Sequence, residues 1–275
     1  MAYSATILPR RVSAGLLILV LIAYVGPLLY VLATSLKTPA QVNKNPAGLF
    51  FIPTFQNYVD SFTPDLLRAT GITVSIALGT TAIVMALAMP AAFAISRLRG
   101  RAFGFAIACL LVFQLVPAAA TLIPQYSLLF QFGLLNTIPG LIAVDAAAAV
   151  PFAVLLLVPF CAGIPTEVLD ASEVDGVGNL RLLRSVVLPL TRNGALVVGV
   201  LTFITAWGEF IAAVTFINDP ALQPLSLALL QSIGANVTNY GTLTATAVLA
   251  SLPLLVIYLF VQRQMRDGLT VGAVR

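Results

Sequence analysis

The chain has 275 residues, 60% of them hydrophobic and only 9% charged, with a net charge of +4. A soluble domain of this length carries about 25% charged residues, so polar surface is too scarce here to cover a water-soluble globule, and lipid must be the solvent over most of the area. The basic residues fall in short clusters between apolar runs, which excludes a nucleic-acid binder; the lack of histidine and the wide separation of Cys109 and Cys161 exclude disulfide frameworks, zinc sites and histidine relays.

In chain order, six stretches are long enough to cross a bilayer of about 30 Å at about 1.5 Å per residue. They are Val12–Leu36, Gly71–Ser96, Phe103–Ile123, Ile138–Phe160, Asn193–Phe216 and Gly241–Val261. The first follows Arg10 and Arg11 and so resembles a signal peptide, but it is too long for one and lacks an A-x-A-like cleavage site, so it is expected to stay as a membrane helix. Pro27, Pro90, Pro117 and Pro151 lie inside spans and predict kinks. The fold class is therefore an all-α membrane protein with six transmembrane helices. Residues 1–11 form the leading tail, 12–262 the transmembrane domain and 263–275 the closing tail.

Orientation follows from the basic residues. With the amino terminus inside, one face holds Arg10, Arg11, Arg97, Arg99, Arg101, Arg181, Arg184, Arg192, Arg263, Arg266 and Arg275, and the other holds Lys37, Lys44 and Arg68. Positive charge favours the cytoplasmic side, so both termini are expected there. The segment Thr38–Leu66, rich in Pro, Asn and Phe, predicts an ordered outer loop with short amphipathic pieces, and Pro124–Thr137 and Asn218–Asn239 predict shorter outer segments.

One polar island interrupts this pattern. Glu167–Leu190 carries four of the ten acidic residues, Glu167, Asp170, Glu173 and Asp175. Glu167–Val177 predicts a short helix opened by Pro165 with Thr166 as cap, and Gly176 and Gly178 supply the turn that ends it. Leu180–Leu188 predicts a second helix with Arg181 and Arg184 on one face. Val168, Leu169 and Val174 are expected to face the bundle. A polar helix–turn–helix between membrane spans is costly to maintain unless something outside the membrane docks on it.

The segment resembles the EAA loop of bacterial ABC-importer permeases, in particular the carbohydrate-uptake, MalG-like type. The family pattern E-L-E-E-A-A-x-I-D-G-A followed by I-x-L-P falls on Glu167–Val177 and Val186–Pro189, with Asp170 in place of a Glu and Ser172 in place of an Ala. AAFAISRLRGR at Ala91–Arg101, IPQY at Ile123–Tyr126, GLLNTIPG at Gly133–Gly140, AWGEF at Ala206–Phe210 and GLTVGAVR at Gly268–Arg275 fall in the family's order. In AWGEF, Gly208 replaces the usual Asn. The resemblance implies a type I importer permease fold, with a cytoplasmic coupling helix within 165–190 that fits a cleft on an ATP-binding subunit through Glu167, Asp170, Ala171, Ser172, Glu173, Asp175 and Gly176. It also implies a second related permease subunit, two ATP-binding subunits, an extracytoplasmic substrate-binding protein, and a place in the bacterial cytoplasmic membrane. Independently, the chain has no G-x-x-x-x-G-K-[ST] loop, so ATP and Mg are expected on partner chains and no cofactor on this one.

Asp145 and Glu209 are the acids that fall within predicted spans, each eight residues from an outer end, about 10–12 Å deep. Intramembrane carboxylates usually face a bundle interior or a water path. Asp145 has two readings: a cavity group that accepts hydrogen bonds from hydroxyls or an amine of the solute, or a protonated group or one in contact with the partner permease. Glu209, beside Trp207, reads better as structural. Gln125, Tyr126 and Trp207 are further candidates for sugar contact, with interfacial anchoring as the competing role, the favoured one for Tyr126. The function expected is the membrane subunit of an ATP-driven importer of sugars or sugar-like solutes; the alternative is a secondary transporter or channel. With no nucleophile–base pair or metal cluster to assemble, an enzyme is not expected.

Overall fold

The computed structural model describes residues 10–231, 233 and 239–271, the side chains at 10–14, 173, 231 and 263–271 excepted. The described residues are mostly helical, with no strand among them. Four helices are long and apolar enough to cross a membrane, or up to six if each of two sharply bent helix pairs is one span. The chain divides into two compact units, one running to Leu66 and including Leu229–Leu252, the other comprising Leu67–Ala228 and the residues from Pro253.

In the first unit, α1 (Arg10–Ser35) is followed by two short helices, α2 (Pro39–Lys44) and α3 (Gln56–Ser61). The Thr38–Leu66 segment is thus ordered, and its order comes from polar groups turned inward. Lys37 is 1% exposed. Its ammonium donates to the Pro46 carbonyl at 2.7 Å and sits 5.2 Å from the centre of the Phe51 ring. No carboxylate is needed, because two carbonyls at the end of α2 and an aromatic face stand in for water. Asn57 donates to the carbonyls of Ser35 and Lys37, both at 2.8 Å, and the Thr54 amide donates to Leu36 O. A capping box between Thr38 and Gln41 starts α2. Ser61 Oγ donates to Thr242 O at the start of α14 (Tyr240–Val271), where a Cβ on Gly241 would collide with the Asn57 side chain.

The second unit is built on α4 (Pro64–Ser96), α7 (Ile138–Ala162) and α11 (Arg192–Trp207). Lipid tails are as apolar as leucine, so close packing by small residues, more than water exclusion, brings such helices together. Gly79 on α4 admits Ile142 of α7, and Gly194 on α11 lies against the Phe160 ring with no room for a Cβ. Val84, Ala88, Ala92, Ala153, Val154, Leu157, Cys161 and Val198 close the core around these contacts. A second cluster joins Ile72, Ile76, Leu129, Leu141, Ala213 and Phe216.

Three expected boundaries are corrected. The third span bends where Pro117 predicts a kink, but far more sharply, and it runs beyond Ile123: α5 (Gly100–Leu115) and α6 (Ala118–Gln131) meet at 90°. Pro117 forces its predecessor Val116 into an extended conformation, ψ 118°, and contributes no amide, so the helix cannot run through. Consequently α6 carries Pro124 within it, and the expected outer segment Pro124–Thr137 starts only after Gln131. The fifth span, expected to reach Phe216, stops at Trp207; α12 (Ile211–Phe216) restarts the chain after a break at Gly208–Phe210. A depth counted along an unbroken helix from Phe216 to Glu209 is therefore void. Finally, the second island helix is longer than expected: α9 (Asn179–Leu182), a π-helical turn (Leu183–Val187) and α10 (Leu188–Leu190) run on, then bend by 87° into α11.

Candidate coupling and transport sites

The polar island folds as α8 (Thr166–Val174), opening at Thr166 itself, joined by Asp175–Gly178 to α9. Gly176 has φ +69°, and the Val177 amide returns to Ser172 O at 3.1 Å. That six-to-one bond with a left-handed residue before it is a Schellman turn, which a Cβ at position 176 would strain. Ser172 turns its hydroxyl back to the Val168 carbonyl at 2.8 Å, so a serine in the usual alanine position costs the helix no outward polar group.

The island is held from within by a few apolar contacts. Ile164 and Val187 are buried in the core cluster, and Leu169, Leu182 and Leu183 pack against it. Val174, expected to face the bundle, is instead 88% exposed, and Val168 is 38% exposed. Glu167, Asp170, Ala171, Asp175 and Gly176 are exposed; the side chain of Glu173 lies outside the described residues. Arg181 and Arg184, with Gly178, Asn179, Leu180 and Ser185, line an open depression beside the helix. None of the described acids or arginines of the island forms an ion pair among the described residues. The arrangement offers a short acidic helix with two exposed valines, fixed at its root and free of internal partners.

The two acids expected within spans diverge. Asp145, on α7, is 8% exposed, and its Oδ2 has no hydrogen-bond partner among the described residues. Thr80 Oγ1, on α4, is equally buried and equally without one. Glu209 instead accepts from the Phe210 amide at 2.8 Å and the Ala212 amide at 2.5 Å, capping α12. The α12 that it caps packs against α7, the helix that carries Asp145. Trp207 is buried and stacked on Phe203, ring centres 5.7 Å apart. Gln125 and Tyr126 lie on α6, with Tyr126 42% exposed and 6.5 Å from the Phe216 ring. Asp145, Glu209 and Trp207 thus lie on α7 and on the α11–α12 segment packed against it, while Tyr126 meets that segment at the Phe216 ring.

Two residues that matter to this geometry escaped sequence reading. Asn136, inside the GLLNTIPG stretch, adopts φ +58° and accepts from the amides of Asn218 and Asp219, both at 2.9 Å, tying the end of α12 to the start of α7. Arg97 donates from Nη2 to Cys161 O at 2.5 Å. The signal for Asn136 was available, since Asn tolerates the left-handed conformation and follows a Gly-containing turn.

Residues 83–270 match the model of the binding-protein-dependent transport system inner membrane component family. The chain belongs to that family. Its members are membrane-embedded transport components. The chain is 28% identical to the sulfoquinovosyl glycerol transport system permease SmoH of Agrobacterium fabrum, over 97% of this chain and 93% of that one. It is 30% identical to the trehalose transport system permease SugB of Mycobacterium tuberculosis, over 90% and 92%. Its fold is that of a chain from the crystal structure of a bacterial ABC transporter that imports the acidic polysaccharide alginate, with TM-score 0.78 and 23% identity over 92% of this chain and 94% of that one.

Proposed function

We propose that the chain is the membrane-spanning permease subunit of a bacterial, ATP-driven importer of sugars or sugar-like solutes, fed by an extracytoplasmic binding protein. The relatives named for sulfoquinovosyl glycerol and trehalose transport support the sugar class. In this reading α8 is the cytoplasmic coupling helix, both chain termini lie on the same side as α8, and each bent helix pair counts as one span, giving six. A second permease subunit completes the pathway, and two partner subunits bind ATP and Mg.

The observation that carries the reading is α8 itself. Its Glu167 and Asp170 are exposed and unpaired among the described residues, while its root is buried in the core. Glu167, Asp170 and Asp175 meet basic groups of the ATP-binding subunit, Ala171 and Ser172 allow close approach, and the Gly176 turn fixes the angle. Glu173 is assigned to the same contact from the motif alone. Nucleotide-driven closure then moves α8 and rocks the bundle between two access states of similar energy.

For the solute path, Asp145 is the favoured group, because a buried carboxylate oxygen without a partner can accept hydrogen bonds from hydroxyls. Gln125 and Tyr126 are secondary contacts. Glu209 and Trp207 are spent on α12 and Phe203 and act as supports.

Co-purification tests the reading. A stable complex with a P-loop ATPase, lost or weakened by Asp175→Lys, is expected. Full sugar uptake by the permease without any ATPase would point to a secondary transporter and sink the assignment. Uptake by Asp145→Asn that matches wild type at sub-saturating sugar would remove Asp145 from the path.

A further inference from the structure

The ends of α4, α7 and α11 proposed to face the cytoplasm converge at the root of α8, and one polar contact there joins two of them. Arg97 follows the last residue of α4. Its Nη2 donates to Cys161 O, in the last turn of α7, and its guanidinium lies 5.3 Å from the centre of the Phe93 ring. Cys161 O also accepts from the Ile164 amide at 3.3 Å. The final carbonyls of a helix lack intrahelical donors and carry the negative end of its dipole, so a cation is well placed there. Only Gly163, Ile164 and Pro165 separate α7 from α8, and Ile164 is buried in the core. One residue earlier in the same turn, Gly194 of α11 presses on Phe160.

The last turn of α7 is therefore gripped by α11 through apolar contact and by α4 through a charged hydrogen bond. The apolar grip can slide, whereas the guanidinium contact is directional. Arg97 Nε, moreover, is buried without a partner among the described residues. A pure brace has no use for a half-satisfied buried donor, but a contact that changes partners between two states leaves one donor idle in each.

We infer that Arg97 is a positioning residue that latches α4 to the last turn of α7, so that displacement of α8 is passed to α4 as well as to α7. The inference rests on the reading of α8 as the coupling helix. The test uses the assembled importer in proteoliposomes with its binding protein and sugar, measuring sugar moved per ATP hydrolysed. Arg97→Gln should retain both ATP-binding subunits and ATP hydrolysis while sugar moved per ATP falls about 5-fold or more. Arg97→Lys, which keeps a charged donor, should recover part of the ratio. If Arg97→Gln is not recovered from the membrane, Phe93→Leu removes the ring under the guanidinium and should lower the ratio in the same direction. An unchanged ratio in these variants overturns the inference, and so does loss of the ATP-binding subunits from the Arg97→Gln complex, which would place Arg97 in docking. Val174→Asp on α8 separates the two ideas. If subunit recovery and ratio both survive that change, α8 is not the docking element, whatever Arg97 does.

Discussion

The segments 36–62 and 163–192 are both polar interruptions between apolar helices, yet they spend their polar groups in opposite directions. In the first, Lys37, Asn57, Thr38 and Gln41 all point inward, onto carbonyls and amides of the same segment. In the second, Glu167, Asp170, Asp175, Arg181 and Arg184 point outward, and apolar side chains, a backbone turn and the hydroxyls of Ser172, Ser185 and Thr191 hold the shape. A polar group buried in its own segment contributes stability; one left open contributes affinity for something else. Charge count alone does not distinguish a structural loop from a docking element. The direction in which the charges are satisfied does.

The sharpest way to break this contrast is Lys37→Met. Methionine keeps the stem volume but strands the Pro46 carbonyl and removes a charge-assisted bond, so the loss should be on the order of 3 kcal/mol. A detergent-extracted complex should melt at a clearly lower Tm. An unchanged Tm would mean the 36–62 segment does not owe its order to that ammonium.

Asn57→Ala is the next step down. It deletes two hydrogen bonds to Ser35 O and Lys37 O, worth about 2 kcal/mol together. Protease nicking between residues 38 and 56 should speed up accordingly, with uptake by the surviving complexes unchanged. Glu209→Ala lies below that, at about 1 kcal/mol, because it removes a helix cap that water can partly replace. Glu209→Gln, which keeps one acceptor, should recover part of the melting loss. If Glu209→Gln instead abolished uptake with Tm intact, the carboxylate would be serving the solute path after all.

Much of this architecture was legible in the sequence because lipid imposes one rule, that a spanning backbone must satisfy its own polar groups, and apolar runs of this length do so as helices. The long apolar runs at α1, α4, α7 and α14 gave themselves away by length. Pro117 announced a kink but not the right angle that ends α5, and the break at Gly208–Phe210 did not show, because apolar runs lie on both sides of it and hydropathy cannot see where the helix ladder stops. The burial of Lys37 was invisible for a different reason: its partners are carbonyls, and any residue supplies one. Val174 misled because an apolar residue on a short helix was assigned to the core by type. At about 100° per residue it lies about 140° around the helix from Leu169, so when Leu169 packs inward Val174 must point out. The Gly176 turn was readable because only a positive φ fits there.

The smallest stability effect in the series carries the most weight for the comparison. Asp170→Asn changes an exposed side chain with no partner among the described residues, so its effect on folding should stay within about 0.5 kcal/mol. Under the proposed docking of α8, uptake should nonetheless fall, because a carboxylate that meets basic groups of the partner loses its charge and leaves them partly unpaired. Raising the salt concentration should weaken ATPase-subunit binding in the wild type more than in Asp170→Asn, since one screened charge pair is already gone. Equal salt sensitivity in the two, with equal uptake, would make Asp170 an ordinary wet residue and collapse the distinction between the two segments. Salt dependence isolates the charge from the shape, which neither Tm nor uptake does alone.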